Sequence, residues 1–340
     1  MRASIERQKV HFSSGDARCA AWLYPGANGA CVIMAGGLAV TKEPGTDPFA
    51  GRFNGAGFTV FAFDYRRFGE SGGRPRQVAR LGEQLADWRA AISFARALPE
   101  VDPSRIAIWG FSLSGGHVFR LASRDPDLAA AIAHSPLADG PAYAPHAMRH
   151  QRTFALLRFT ARAALDALGG LAGRDPLLVP LAGEPGAVTS LTTPDALNGG
   201  GALNPGGSYP NWQQEVAARS ALRVGFYRPG RHASGVRCPL LVLVHDDDGV
   251  ALPGPAVRAA RRAPRGELVR LPGGHYEAFM GGREEAVEAQ LYFLGRHLLG
   301  RPQASRADDA ASAAPPRRRW DWTPMVKSRR AGAPHRPRPE

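Results

Sequence analysis

Long apolar runs are missing from this sequence. No stretch approaches the ~20 residues needed to cross a bilayer, so no membrane partner is expected. The opening MRASIERQKVHF carries no apolar segment, so no secretory leader is expected either. Cysteine is scarce. Cys19, Cys31 and Cys238 are odd in number, and no two have metal-ligand spacing. That argues against a disulfide framework and a cysteine-held metal, and predicts buried free thiols in a reducing compartment, the cytoplasm. Lysine is nearly absent: 40 of the 43 basic residues are arginine, beside 40 glycines and 29 prolines, a mark of GC-rich coding bias. The formal charge is +13. Residues 301–340 hold 10 Arg/Lys against 4 Asp/Glu, a net of +6, and the remaining +7 is spread thinly with no basic stripe. Nucleic acid is therefore not expected as a partner.

What is present is a rhythm of short apolar runs and amphipathic segments. Residues 7–24 read as two strands joined at Ser14-Gly15-Asp16. ACVIMAGG (30–37), FTVFAFD (58–64), RIAIWG (105–110) and LAAAIAHS (128–135) read as strands buried on both faces, as in a parallel sheet. A short helix is expected over 46–56. Leu81, Leu85, Trp88 and Ile92 mark another that stops before Pro99. The strand rhythm then vanishes from about 137 to 236. Within that stretch Phe154, Leu157, Ala161, Leu165 and Leu168 line one helical face, with Arg158, Arg162 and Asp166 on another. Gly/Pro-rich loops follow. The rhythm returns with CPLLVLVH (238–245), a helix over 253–263, GELVRLP (266–272) and a helix marked by Val287, Leu291, Leu294 and Leu298.

Alternating strands and helices predict an α/β fold with an open, mostly parallel sheet covered on both faces. The expected organisation is a core in two parts (1–136 and 237–300), an inserted, partly helical cap (137–236), and a disordered Pro/Arg-rich tail (301–340). The tail's Trp320 and Trp322 are candidates for a short docking motif.

Chemistry concentrates where strands end. Gly110-Phe111-Ser112-Leu113-Ser114 stands at an abrupt strand-to-helix turn. Such a turn lifts a hydroxyl above the sheet and aims backbone N–H groups at one spot. It demands small residues two before and two after the nucleophile. Ser112 is the candidate nucleophile. A frame centred on Ser114 also has small flanks but shifts the turn two residues past the strand end. A hydroxyl needs a base to take its proton and an acid to orient that base. After the strand at 238–245 comes HDDDGVALP. Asp248, directly before Gly249-Val250, is the preferred acid over Asp246 and Asp247. After the next strand comes LPGGHYEAF, where His275 is the candidate base. The N–H groups of Leu113 and Leu38 are the candidate oxyanion donors. His134 is a candidate for the pocket wall, His117 and Trp109 for packing, and Asp64 for ordering the Arg66 loop. No cofactor or metal is implied.

At these residues the chain resembles the α/β-hydrolases, over roughly residues 7–300. FDYRRFGESGG (63–73) is similar to the family's D-x-R-G-x-G-x-S loop, and MAGGLAVTKE (34–43) to its H-G-x oxyanion segment. WGFSLSGGHV (109–118) resembles the elbow of a bacterial subgroup related to polyketide-acyl transferases and X-Pro-type peptidases. Gly36 stands where the family has a histidine, and Arg67 where it has a glycine. The resemblance implies a serine hydrolase that cleaves an ester or related acyl bond of a small molecule. Acyl transfer, peptide cleavage and a silent binding protein are the alternatives.

Overall fold

The structure, a computed structural model, describes residues 7–301 and a strand at 321–324. The chain begins with a hairpin, β1 (Gln8–Ser14) and β2 (Ala17–Tyr24), closed at Gly15 with its positive φ of 58°. β3 (Cys31–Ala35), α1 (Lys42–Gly55), β4 (Thr59–Phe63), α2 (Leu81–Arg96), β5 (Ile106–Phe111), α3 (Leu113–Ala122) and β6 (Ala130–His134) follow. The insertion carries α4 (Gly140–His150), α5 (Thr153–Leu171), β7 (Leu178–Pro180), α6 (Pro194–Leu197), α7 (Gly199–Leu203), β8 (Glu215–Ala217) and α8 (Ala218–Val224). The core resumes with β9 (Leu240–His245), α9 (Pro253–Arg262), β10 (Gly266–Leu271) and α10 (Arg283–Leu298), and β11 (Asp321–Pro324) comes last.

The main sheet has nine strands in the order β1-β2-β4-β3-β5-β6-β9-β10-β11, and β7 pairs with β8 separately. From β4 to β10 all neighbours are parallel, while β1, β2 and β11 run antiparallel at the edges. Side chains alternate between two apolar layers, as a pleated strand requires. Ile33, Ile108 and Val242 face the layer shared with α2, α3 and α9. Val32, Trp109 and Leu243 face the layer shared with α1 and α10. Each fully buried Leu, Ile or Phe contributes about 1.5–3 kcal/mol relative to exposure, which is why this double-sided burial selects the doubly covered sheet. The register brings Ala35 beside Gly110, Phe111 beside His134 and His245 beside Leu271, so the loops leaving these strands share one rim.

One expectation is corrected in part. The tail was expected to be without structure, but Asp321–Pro324 pairs antiparallel with β10 and adds an edge strand. Trp322 stands opposite Val269 in that register. Trp320 and the rest of the tail beyond Arg301 lie outside the described residues. Helix α5 is oriented against its apolar pattern. Its long apolar stripe does not face the protein: Phe154, Leu157, Leu165, Leu168 and Leu171 are 62–88% exposed. The opposite face is buried through Ala155, Ala163 and Asp166. Asp166 accepts from the backbone N–H of Leu177 and of Arg219 (both 2.9 Å), and the Arg219 guanidinium donates to the Asp166 carbonyl. A carboxylate with these partners decides which face turns inward.

Candidate active site

β5 ends at Phe111 and the chain turns at once into α3, leaving Ser112 with φ 56°, ψ −114°. A non-glycine residue there stores strain on the order of 1–3 kcal/mol, held by the surrounding bonds. The Ser112 N–H donates to the His134 carbonyl (3.0 Å), and its own carbonyl accepts from Gly116 and Leu137. The flanks must be small because the backbone nearly touches itself. A Cβ at Gly110 would lie 2.3 Å from the Ser114 carbonyl oxygen, and one at Gly116 2.5 Å from that of Leu137.

The structure brings the three sequence candidates together. His275 Nε2 is 3.0 Å from Ser112 Oγ, and His275 Nδ1 is 2.7 Å from Asp248 Oδ2. The other oxygen of Asp248 accepts the N–H groups of Val250 and Ala251 (2.9 and 2.6 Å), which fixes the carboxylate at the mouth of its loop. Asp246 instead pairs with Arg270 at the surface, and Asp247 is exposed. Because a carboxylate only accepts, Nδ1 carries the proton and Nε2 is left to accept from the serine.

The oxyanion segment lies over the elbow. A Cβ on Gly37 would come within 3.1 Å of Ser112 Cβ. Leu38 and Leu113 both line the chamber that Ser112 faces. Gly36, where a histidine would tie the loop, is tied in another way. Trp88 Nε1 donates to Tyr65 Oη (2.6 Å), Tyr65 donates to Ser114 Oγ (2.5 Å), and Ser114 donates to the Gly36 carbonyl. Indole is donor-only and a carbonyl acceptor-only, so the direction of this chain is fixed. Ser114 thus fastens this segment. Asp64 accepts from the Lys42 backbone (2.7 Å), the Lys42 ammonium (2.9 Å) and the Glu70 N–H (3.0 Å). It therefore anchors the far end of the oxyanion segment as well as the loop after β4. Arg66 pairs with Asp87 instead (2.7 Å). Arg67 keeps the glycine-like φ of 75° and pays for it with an ion pair to Glu83 at 2.9 Å.

Two residues of the insertion were not visible as site residues in the sequence. Asp195 Oδ2 accepts from the N–H of Gly249 (2.9 Å) and of His275 (3.3 Å), clamping the acid loop to the base loop. Trp212 Nε1 donates to the Ala39 carbonyl (2.8 Å), where Ala39 has φ 54°. No local signal marks either one, because each works on loops more than 50 residues away in the chain.

His134, a candidate for the pocket wall, is instead fully buried behind the site. Its ring meets those of Phe49, Trp109 and Phe111 edge-on and stacks on His245. His245 bonds Ser135 Oγ through Nδ1 (3.0 Å). Burial holds His134 well below its ordinary pKa and His245 down to about 4, so both are neutral. His117 packs in α3 as expected, bonded to Tyr227 and Gln84, and Trp109 donates to Gln290 inside the core.

Ser112 opens onto two chambers. The larger, about 400 Å³, is walled by Leu113, Leu137, Leu156, Phe159, Leu222 and their neighbours, with no charged side chain. The smaller, about 240 Å³, lies toward Trp212, Gln214 and Tyr276. Among the described residues no cluster of three or more His, Cys, Asp or Glu is arranged to hold a metal ion.

Comparison with known proteins gives a consistent picture. Residues 27–178 match the family described as Serine aminopeptidase, S33 (Hydrolase_4). The chain is 40% identical over 292 residues to the quorum-quenching protein AidA of Acinetobacter baumannii, covering 84% of this chain and 94% of that one. It is 26% identical over 315 residues to the polyketide transferase af380 of Aspergillus fumigatus, covering 86% and 99%. The crystal structure of the α/β-hydrolase GrgF from Penicillium sp. sh18 superposes with a TM-score of 0.73 at 23% identity, covering 86% and 99%. The fold, the rim of loops and these relatives converge: the chain belongs to the S33-type α/β-hydrolases of the Hydrolase_4 family.

Proposed function

We propose that the protein is a serine hydrolase that cleaves an ester or related acyl bond of an apolar small molecule. The observation that carries this is the contact chain Ser112–His275–Asp248, at 3.0 and 2.7 Å. His275 Nε2 takes the Ser112 proton as Oγ attacks the carbonyl carbon. Asp248 holds the imidazole in the required tautomer and stabilises the imidazolium. The N–H groups of Leu113 and Leu38 receive the developing oxyanion, at the start of α3 where the helix dipole favours negative charge. The imidazolium then gives its proton to the leaving oxygen, and a water activated by His275 releases the acyl group. No step calls on a metal or cofactor.

The uncharged larger chamber supports an apolar acyl group, and the segment 137–236 acts as the cap that roofs it. Neither chamber's lining includes a carboxylate to receive a peptide amine, which disfavours a peptidase. Three buried, unpaired cysteines fit a cytoplasmic location. A quorum-quenching role, which the 40% identical relative carries in its name, is a candidate for this chain as well. A second reading, transfer of the acyl group to an alcohol or amine, is favoured by the smaller chamber beside Ser112, which offers room for an acceptor.

A fluorophosphonate probe is expected to label the folded protein and not Ser112→Ala, and a panel of esters and thioesters to be turned over. Labelling that persists in Ser112→Ala overturns the assignment. Product analysis with and without an added acceptor separates hydrolysis from transfer.

A further inference from the structure

The exposed stripe of α5 is unusual for a protein surface. Phe154, Leu157, Leu165 and Leu168 recur at spacings that keep them on one side of a 19-residue helix, and Leu171 extends the patch at its end. Large exposed apolar patches mark interaction sites. Within α4 and α5 the exposed charges are of a single sign. Between Gly140 and Arg174 the sequence has five arginines, at 149, 152, 158, 162 and 174, and all are exposed. The one carboxylate in that span, Asp166, is buried against Arg219. The C-terminal turn of α5 then opens into a separate groove lined by Arg74, Arg76, Arg80, Arg174 and Arg219, with Asp175 the single acid. A second copy of this chain docking face to face through the stripe would set these arginines against their own equivalents, which like-charge repulsion opposes.

We propose that the α5 face docks on an anionic phospholipid surface. Phe154, Leu157, Leu165 and Leu168 enter the boundary between headgroups and acyl chains. The exposed arginines beside them, with Arg74 and Arg174 at the groove, meet the phosphate-bearing headgroups, whereas Arg76, Arg80 and Arg219 are bonded to the Gly69 and Ser71 carbonyls, to Glu83 and to Asp166. This differs from a membrane span: no helix among the described residues is long and apolar enough to cross. The docking also places the larger chamber. Its lining includes Met148 and Phe226, both exposed, and Leu156 and Phe159 on the inward side of α5 itself. The chamber thus lies behind α5, on the side of the helix opposite the docked stripe.

The test is co-sedimentation of the full chain with vesicles of phosphatidylcholine alone and with about one third phosphatidylglycerol. It is run at low and high salt, with light scattering of the free protein. Anionic vesicles are expected to bind at least ten-fold more protein than neutral ones, with the difference collapsing in high salt. Leu165→Glu/Leu168→Glu is expected to lose at least ten-fold of that binding, and Arg74→Glu/Arg174→Glu to lose it as well. Unchanged thermal unfolding qualifies each variant, so the outcome stands apart from the catalytic assignment. Equal binding by the stripe variant and the wild type would overturn the proposal, as would no preference for anionic vesicles. A wild-type dimer that becomes monomeric in the stripe variant would also overturn it and give the face to a second copy.

Discussion

At the scale of single residues, the candidate site depends on bonds that hold loops as well as on the contacts among Ser112, His275 and Asp248. Replacing Ser114 by alanine strands two buried partners, the Gly36 carbonyl and the Tyr65 hydroxyl. A loss of about 1–3 kcal/mol is expected in urea unfolding. Asp195→Ala frees both the acid and the base loop. A 10–100-fold fall in kcat with unchanged unfolding is expected, and Asp195→Asn should recover part of it, since an amide oxygen still accepts. The buried histidines set the acid limit of stability. His134 and His245 are neutral in the fold, and each takes a proton near pH 6.5 when unfolded. The unfolded chain therefore binds more protons below that pH. Stability is full above about pH 6.5 and falls as the pH drops toward 4, by up to about 1.4 kcal/mol per pH unit for each histidine. Urea midpoints measured from pH 7 to 4 check the slope, and His134→Phe should flatten it by one proton's worth. That Ser112, Asp248 and His275 could meet was legible in the sequence because each follows a strand end in a short, recognisable loop. Ser114's bond to Gly36 was not, because it joins residues 78 positions apart.

Secondary-structure elements tell a similar story. The strands of the core were readable because burial on both faces leaves uninterrupted apolar runs such as Cys31–Ala35 and Leu240–His245. Helix α1 begins at Lys42, earlier than the 46–56 expected, because Asp64 captures the backbone and ammonium of Lys42 and fixes the first turn. Helix α5 shows where periodicity misleads. Its apolar side is the more hydrophobic, yet the side with Asp166 is buried. Periodicity finds a helix and its faces, but the partner that satisfies a buried carboxylate lies on α8, far along the chain. Asp166→Ala removes the carboxylate and leaves Arg219 buried without it. A destabilisation of about 3–5 kcal/mol is expected, read as a lower unfolding midpoint or as early proteolytic cleavage within 140–224. Strand β11 was missed because four residues in an arginine-rich, proline-rich stretch carry no alternation strong enough to stand out.

For the whole molecule, substrate range is expected to follow the two chambers. Leu222→Trp, on the wall of the larger one, should shift the preferred acyl chain to shorter lengths. Turnover of long-chain p-nitrophenyl esters should fall far more than that of the acetate, measured as kcat/KM across the series. A uniform loss across chain lengths would instead assign that chamber to another part of the substrate.

The placement of Asp195 and Trp212 bears on how such a protein can be recombined. Both stand in the inserted segment, yet their bonds end on the backbone of the core. The insertion is therefore not a detachable module. A chimera that grafts a foreign lid between Pro136 and Val236 would inherit a core whose three loops have lost one fastening each, unless the donor segment supplies a carboxylate and an indole at equivalent places.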